Sequence, residues 1–296
     1  MSLSVTAIVP TLNGARTLPA LLEALERRRG LELTEIVAVD SGSRDGTREL
    51  LVGAGAKVLD LGGTRFGHGS ARNRAAAAAR GEALLFLTQD VEPTGDGWLA
   101  ALLAPLAEGS VAGVFGRQVP RDASPEETFL ARINYAGRPR RLGAPDVGAF
   151  GPGTILFSTA FGVVRRSAWE RVPFPDIVMS EDQAWALAVL RAGHAIVYEP
   201  RAEAYHGHRF SIARAFRRNF DSGSSLQTLG LAGGAWRSGS GHLARELRWV
   251  ASQHGAPAAV HALAYEAVRM AGFQAGRLEK VLPRGLARLL GEAPRE

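Results

Sequence analysis

Apolar residues in the first half of the chain recur in two rhythms that take turns. Val5 to Pro10 is a short apolar run of buried-strand character. Leu18, Leu21, Leu22 and Leu25 then recur at helical spacing, until "RRRG" supplies a cationic end and Gly30 a stop. Glu35 to Val39 is a second strand, ending on Asp40. A Gly/Ser/Asp loop, "SGSRDG", leads to a short helix from Thr47, the strand "KVLDL", a glycine-rich loop, an Ala-rich helix over Ser70 to Arg80 and the strand "EALLFLT". A helix over Trp98 to Ala107 and a strand over Val111 to Val119 continue the alternation. This rhythm predicts an α/β chain with a mainly parallel, doubly wound sheet flanked by helices. Ligands of such sheets sit at the carboxyl ends of the strands.

The second half is less regular. Residues 120–153 hold many Pro, Gly and charged residues and read as a long surface excursion with one helix, of a length usually reserved for function. Strand-like "ILFSTAFGVVRR", a helix over Glu181 to Ala192, the strand "HAIVYEP" and helices to the end follow. No internal repeat is present.

Composition changes this picture only by exclusion. A chain of 296 residues with 46% hydrophobic content can bury a substantial core. With no cysteine there is no disulfide framework, thiolate zinc site or Cys nucleophile, and a cytoplasmic location is expected. "MSLSVTAIVPT" enters a strand without a basic leader region, so no signal peptide is expected. The longest charge-free window, Val147 to Val164, is broken by Pro152 and four glycines and makes poor material for a membrane span.

Charge is uneven. Residues 1–200 carry 21 Lys+Arg against 22 Asp+Glu, whereas residues 201–296 carry 14 against 7. Of the 35 basic residues 33 are Arg, and aromatic-basic interleaving of the RNA-binding kind is absent, so no nucleic-acid partner is expected.

Candidate chemistry lies where strands end. Asp40 fits a turn-forming Asp, and equally a carboxylate that accepts a base imide N–H or a ribose hydroxyl. Thr11 and Asn13 follow the first strand in the same way, and Asp90 follows a third. In "FGHGSARNRA", Ser70 is placed to cap a helix with Arg72 in its first turn. In "SEDQAWALAVLRAG", Ser180 and Gln183 fit a capping box. Glu181 and Asp182 then suit the helix dipole, and a carboxylate kept ionised there also suits a general base. "AYHGHRF" places His206 and His208 just past a strand, where a metal site and a structural pair are both open. Signatures of P-loop kinases, zincins, α/β-hydrolases and nicotinamide enzymes are missing.

Taken in order, "TAIVPTLNGARTLPALLEAL", "EIVAVDSGSRDGT", "GHGSARNRAAAAARGEALLFLTQDVEP", "FGVVRRSAWERVPFP", "SEDQAWALAVLRAG" and "IVYEPRAEAYHGH" resemble the family 2 glycosyltransferases of the GT-A fold, from about residue 4 to 225. The "TQD" in place of D-x-D, the "PFP…SEDQAWA" run and the H-x-H before "FRRNFDSG" look most like bacterial rhamnosyltransferases, which use dTDP-L-rhamnose. The resemblance implies a GT-A catalytic domain over 1–208, with a nucleotide-binding half 1–119 and an acceptor-binding half 120–208, and a basic helical region over 209–296. It implies that Pro10, Thr11, Asn13 and Asp40 hold base and ribose, that Arg72 supports the nucleotide, and that Gln89 hydrogen-bonds the donor. Asp90 would reach a divalent cation, Mg²⁺ or Mn²⁺, with His206 and His208 completing the site. Asp182 would be the catalytic base and Glu181 its acidic neighbour. The implied partners are a nucleotide-sugar donor and a glycan or lipid-linked acceptor, with inversion at the anomeric carbon. Another UDP- or dTDP-sugar as donor, a nucleotidyltransferase and a non-catalytic nucleotide-sugar-binding protein remain the alternatives.

Beyond Arg209, Phe210, Ala213, Phe216 and Phe220 fall near one helical stripe with Arg214, Arg217 and Arg218 largely opposite. "LARELRWVA" and "GLARLLG" have the same character. Such helices pack on the catalytic domain or meet an anionic membrane peripherally, at its inner face.

Overall fold

In this computed structural model the described residues are 3–29, 32–61, 67–121, 123–149, 157–231 and 239–292. Among the described residues nine strands form one sheet: β1 (Val5–Thr11), β2 (Leu33–Asp40), β3 (Lys57–Asp60), β4 (Ala83–Leu87), β5 (Glu92–Pro93), β6 (Val111–Val119), β7 (Arg140–Leu142), β8 (Phe161–Arg165) and β9 (Ala195–Tyr205). Their order is β3-β2-β1-β4-β8-β6-β9-β5, with β7 also on β9. β3, β2, β1 and β4 are mutually parallel; β8 runs against both β4 and β6, and β9 is again parallel to β6. The sheet is mixed and mainly parallel, with helices on both faces.

Alternation along β1 sets the two layers. Val5, Ala7 and Val9 face one side, where α1 (Leu18–Glu26) contributes Leu18, Leu21 and Leu25, beside α2 (Thr47–Gly53) with Leu51 and α4 (Trp98–Leu103) with Trp98 and Leu99. Ile8 faces the other side, where α3 (His68–Ala78), α6 (Arg166–Arg171) and α7 (Glu181–Arg191) bury Ala71, Ala75, Ala168, Trp185 and Leu190. The excursion over 120–153 contains the expected helix, α5 (Pro125–Asn134), and also β7 and a 3-10 turn.

Several local expectations are corrected. The helix from Trp98 tightens into a 3-10 turn at Ala104–Ala107, where Pro105 cannot donate to the α-ladder. Within "ILFSTAFGVVRR" only Phe161–Arg165 is a strand, and its first residues, like the glycine-rich loop over 62–66, lie outside the described residues. "HAIVYEP" does not stop at Pro200: the pairing of β9 with β6 jumps from Gly116↔Glu199 to Arg117↔Glu203 and resumes to Tyr205. A proline lacks the ladder donor, so the register steps past it instead of ending there.

The tail is helical: α8 (Ile212–Thr228), α9 (Gly239–His254), α10 (Ala256–Arg277) and α11 (Arg284–Leu290). On α8 the buried side chains include Ala215 and Phe220, while Ala213, expected on the apolar stripe, is exposed. α8 and α10 meet almost backbone to backbone, and a Cβ at Gly276 would stand 2.0 Å from the carbonyl oxygen of Phe220. Among the described residues no helix is long and apolar enough to cross a membrane.

Candidate active site at the strand ends

Three groups of the expected residues gather along the carboxyl edge of the sheet. The first sits where β1 and β2 end. Thr11 and Asp40 are register partners, and Thr11 Oγ1 donates to Asp40 Oδ2 at 3.1 Å. Ser43 donates from its hydroxyl to Oδ2 and from its amide to Oδ1 at 3.0 Å, and Gly42 N–H adds a third contact. Burial alone would raise this carboxyl, but the donors more than offset it and hold Asp40 below the usual carboxylate range. Its side chain is 0% exposed, with the Arg48 guanidinium 3.4 Å away. The turn-forming role is therefore fulfilled within the protein. Pro10 precedes Thr11 on β1 opposite Val39. Asn13 adopts φ 48°, donates its N–H to Ser43 Oγ and accepts the Arg44 N–H.

Gln89 belongs to this group. Its Oε1 accepts the Leu12 N–H at 2.9 Å and its Nε2 donates to the Leu12 carbonyl at 3.0 Å. The amide grips the β1 loop on both sides.

The second group is Asp90, His206 and His208, whose ligand atoms lie within 4.8 Å of one another. Asp90 comes from the turn after β4, and the two histidines from just past β9. The β5–β9 pairing, Glu92 opposite Tyr205, brings these segments together. His206 Nε2 is 3.6 Å from Asp90 Oδ1, and His208 Nδ1 is 3.7 Å from Oδ2. His206 Nδ1 is 2.7 Å from Gln118 Oε1, and that amide's Nε2 donates to Ser158 Oγ at 2.9 Å. Oriented this way, Gln118 accepts the Nδ1–H and leaves a lone pair on Nε2. Burial pushes the His206 pKa down to about 4, so the ring is neutral. Nε2 is buried with no hydrogen-bond partner among the described residues. A neutral imidazole whose second nitrogen is tied to a carbonyl, beside a carboxylate and another imidazole, is a donor set that fits a divalent cation.

The third group lies at the start of α7. Arg72 and Glu181 form an ion pair at 3.0 Å with side chains only 6% exposed each. Gly69 makes this possible, because a Cβ there would be 2.1 Å from the Pro175 carbonyl, so α3 can press against the segment leading into α7. Arg72, expected at the nucleotide, is thus partnered by Glu181 and by the His68 carbonyl. Asp182 accepts the Thr159 N–H at 3.2 Å and the Gln183 N–H at 2.8 Å. Burial, then the charge of Glu181, push its pKa up to about 6, against the opposing pull of Arg72.

Neither expected cap forms. Ser180 adopts φ 66° and its hydroxyl bonds Ser222 Oγ, while the Gln183 amide is taken by Asp182. α3 begins at His68, and Ser70 donates back to the Gly67 carbonyl. Asn13 and Ser180 are the two non-glycine residues with positive φ among those described, and both sit at this edge, where backbone strain commonly accompanies function.

The sequence reading missed Gln118, Ser158 and Thr159. Ser158 holds Gln118, which holds His206, and the next amide holds Asp182, so one dipeptide links the second and third groups. Gln118 carried the same signal as Asp40, a polar residue ending an apolar strand.

Residues 6–172 match the family described as glycosyl transferase family 2. The chain is 28% identical over 226 residues to the O-antigen chain rhamnosyltransferase RfbN of Salmonella typhimurium, covering 75% of this chain and 72% of that one. It is 30% identical over 225 residues to the O-antigen chain rhamnosyltransferase WbaN of Salmonella anatum, covering 74% and 71%. Among solved structures it is similar to the mannosyltransferase PcManGT of Pyrobaculum calidifontis in complex with GDP-Man and Mn²⁺, with a TM-score of 0.65, 20% identity and coverage of 95% and 88%.

Proposed function

This chain belongs to glycosyl transferase family 2, and from that premise we propose that it transfers L-rhamnose from dTDP-L-rhamnose, with inversion, to a glycan or lipid-linked saccharide. The two O-antigen rhamnosyltransferase relatives favour that donor. The observation that carries the site assignment is the pairing of an Asp/His/His cation-type cluster with a carboxylate of raised pKa on the same edge.

In this reading Asp90, His206 and His208 hold Mg²⁺ or Mn²⁺. Bound there, the cation would offset the negative charge that develops on the leaving diphosphate. Asp182 takes the proton of the acceptor hydroxyl. A pKa near 6 suits that task, since the group is ionised at neutral pH yet still basic. The Thr159 and Gln183 amides orient it, and Arg72 pairs with Glu181 beside it. Pro10, Thr11, Asn13 and Asp40 line the place for base and ribose. Asp40 then acts through the turn it shapes, and Gln89 by fixing the loop that carries Asn13.

We assign residues 1–208 to catalysis, split near 119 into donor and acceptor halves, and 209–296 to placement at the inner face of the membrane. Leu278, Val281, Leu286 and Leu289 are exposed at the chain's end, interspersed with Lys280, Arg284 and Arg288. That pattern matches an anionic bilayer. Sedimentation with phosphatidylglycerol vesicles, lost at high salt, is expected; indifference to vesicles rejects it.

The donor is tested by thermal shift. Stabilisation by dTDP-L-rhamnose that requires Mn²⁺ or Mg²⁺, and exceeds that by UDP-glucose and GDP-mannose, is expected. Equal or greater stabilisation by another sugar nucleotide overturns the rhamnose assignment.

A further inference from the structure

Phe210 stands where the cation-type cluster gives way to the C-terminal helices. Its ring lies 5.0 Å from that of His208. The guanidinium carbons of Arg214 and Arg218 lie 5.1 and 4.8 Å from its centroid. Four residues apart on α8, the two project from one face and converge on a single carboxylate. Arg214 Nε donates to Glu292 Oε1 at 2.8 Å, and Arg218 Nη1 lies 3.5 Å from Oε2. Glu292 follows α11 and is held by its own N–H, which donates to Asp221 Oδ2 at 3.0 Å.

The trio borders the cation-type cluster through Phe210. Arg218 Nη2 also reaches Met179 Sδ, two residues after Ile177 and next to Ser180. Phe210 thus joins the pair to the Asp90 group through His208, and Arg218 also reaches the segment that leads to Asp182.

A pair of guanidiniums that grips a carboxylate with two oxygens grips phosphate oxygens by the same geometry. The pair is only partly buried, with side-chain exposures of 54% and 33% for the arginines and 30% for Glu292. Exposed ion pairs of this kind are worth about 0–1 kcal/mol, so a more highly charged anion displaces the carboxylate at little cost. We propose that Arg214 and Arg218 form a second anion site of this enzyme, specific for a diphosphate group, which Glu292 occupies until ligand displaces it. The proposal rests on the reading of the cleft as a diphosphate-binding transferase site. The diphosphate can come from the nucleotide donor or from the link between an acceptor glycan and its lipid.

Calorimetry on the full chain in EDTA, with inorganic diphosphate as probe, tests the site without the cation. Glu292→Gln should bind about two- to fivefold more tightly than the parent, the worth of one exposed ion pair. Arg214→Gln should bind more weakly, and Arg214→Gln combined with Glu292→Gln should lose the gain. Glu292 lies next to the described end of the chain, and melting curves confirm that each variant is folded. An unchanged affinity in Glu292→Gln, or a gain that survives in the double variant, overturns the proposal. Farnesyl diphosphate and dTDP then separate the sources: the ligand whose binding tightens in Glu292→Gln is the one the site takes. His206→Ala with dTDP and Mn²⁺ keeps the two readings apart. Loss of the Mn²⁺ dependence there, with no response to Glu292→Gln, rejects the second site alone. A response to Glu292→Gln with no Mn²⁺ dependence at all rejects the cluster reading alone.

Discussion

Arg72 Nη1 lies 3.0 Å from Glu181 Oε1, with both side chains almost wholly enclosed. Removing one partner of such a pair leaves an uncompensated buried charge, a loss of about 3–5 kcal/mol. Arg72→Met is expected to lower unfolding stability by that order in a urea titration. It should also act on chemistry. Arg72 favours the ionised form of Asp182, so its loss moves that carboxyl above about 6 and shifts the acid limb of the kcat–pH profile to higher pH. A folded variant with an unmoved limb would separate Arg72 from the base.

Asp182 itself sets the second prediction. Its carboxyl is raised from 3.8 to about 6, and a base must be ionised, so kcat should fall as pH drops through about 6 and level off above it. The same shift has a stability sign. The folded state holds this proton more tightly than the unfolded chain, so the group stabilises at pH below 3.8 and that contribution is lost as pH rises through about 6. Asp182→Asn should keep dTDP affinity in calorimetry, lose about 10²–10⁴-fold in turnover, and flatten the stability profile between pH 4 and pH 7. Near-parental turnover would reject the assignment.

Gln118 tests the cation cluster from behind. Its Oε1 sits 2.7 Å from His206 Nδ1, and losing such a partner from a metal-binding imidazole typically costs about 10–100-fold in metal affinity. Gln118→Leu is expected to weaken Mn²⁺-dependent dTDP binding by that range while leaving Asp90 and both histidines in place. Binding that is unchanged, or that never depended on Mn²⁺, would remove the cluster from the mechanism.

What the sequence disclosed, and what it hid, follows from how far apart the interacting residues lie. Period-two and helical patterns are local, so β1, β2, β4, β6 and α7 were placed within a residue or two of their observed bounds. Asp90, His206 and His208 were each visible as polar residues at strand ends, and only their shared resemblance to one family joined them. Choices between competing local partners were not legible. Ser180 and Gln183 had the spacing of a capping box, but Ser222 on α8 takes the hydroxyl and Asp182 takes the amide. Arg72 offered a free cation in the sequence, and only the packing of α3 at Gly69 revealed that Glu181 claims it. Glu292 lies 74 residues from Arg218, a separation over which no pattern in the chain speaks.

Gln89 carries the last prediction, because it is the middle residue of "TQD", between Thr88, where D-x-D has its first carboxylate, and Asp90. Its two-sided hold on Leu12 needs an acceptor and a donor on one side chain: Oε1 takes the N–H and Nε2 serves the carbonyl. Glutamate keeps the acceptor but turns the donor into a second oxygen facing the Leu12 carbonyl oxygen. Gln89→Glu would therefore place an acidic residue beside Asp90 yet break the clamp, at about 0.5–1.5 kcal/mol for the donor contact it removes. The loop between Thr11 and Asn13 should loosen with it, so dTDP binding is expected to weaken even with Mn²⁺ in excess. If the cation site instead lacked an acidic neighbour to Asp90, the same variant would bind Mn²⁺ and dTDP more tightly with no loss of stability. A urea titration paired with calorimetry in Mn²⁺ distinguishes the two, since stability and affinity fall together in one case and affinity rises alone in the other.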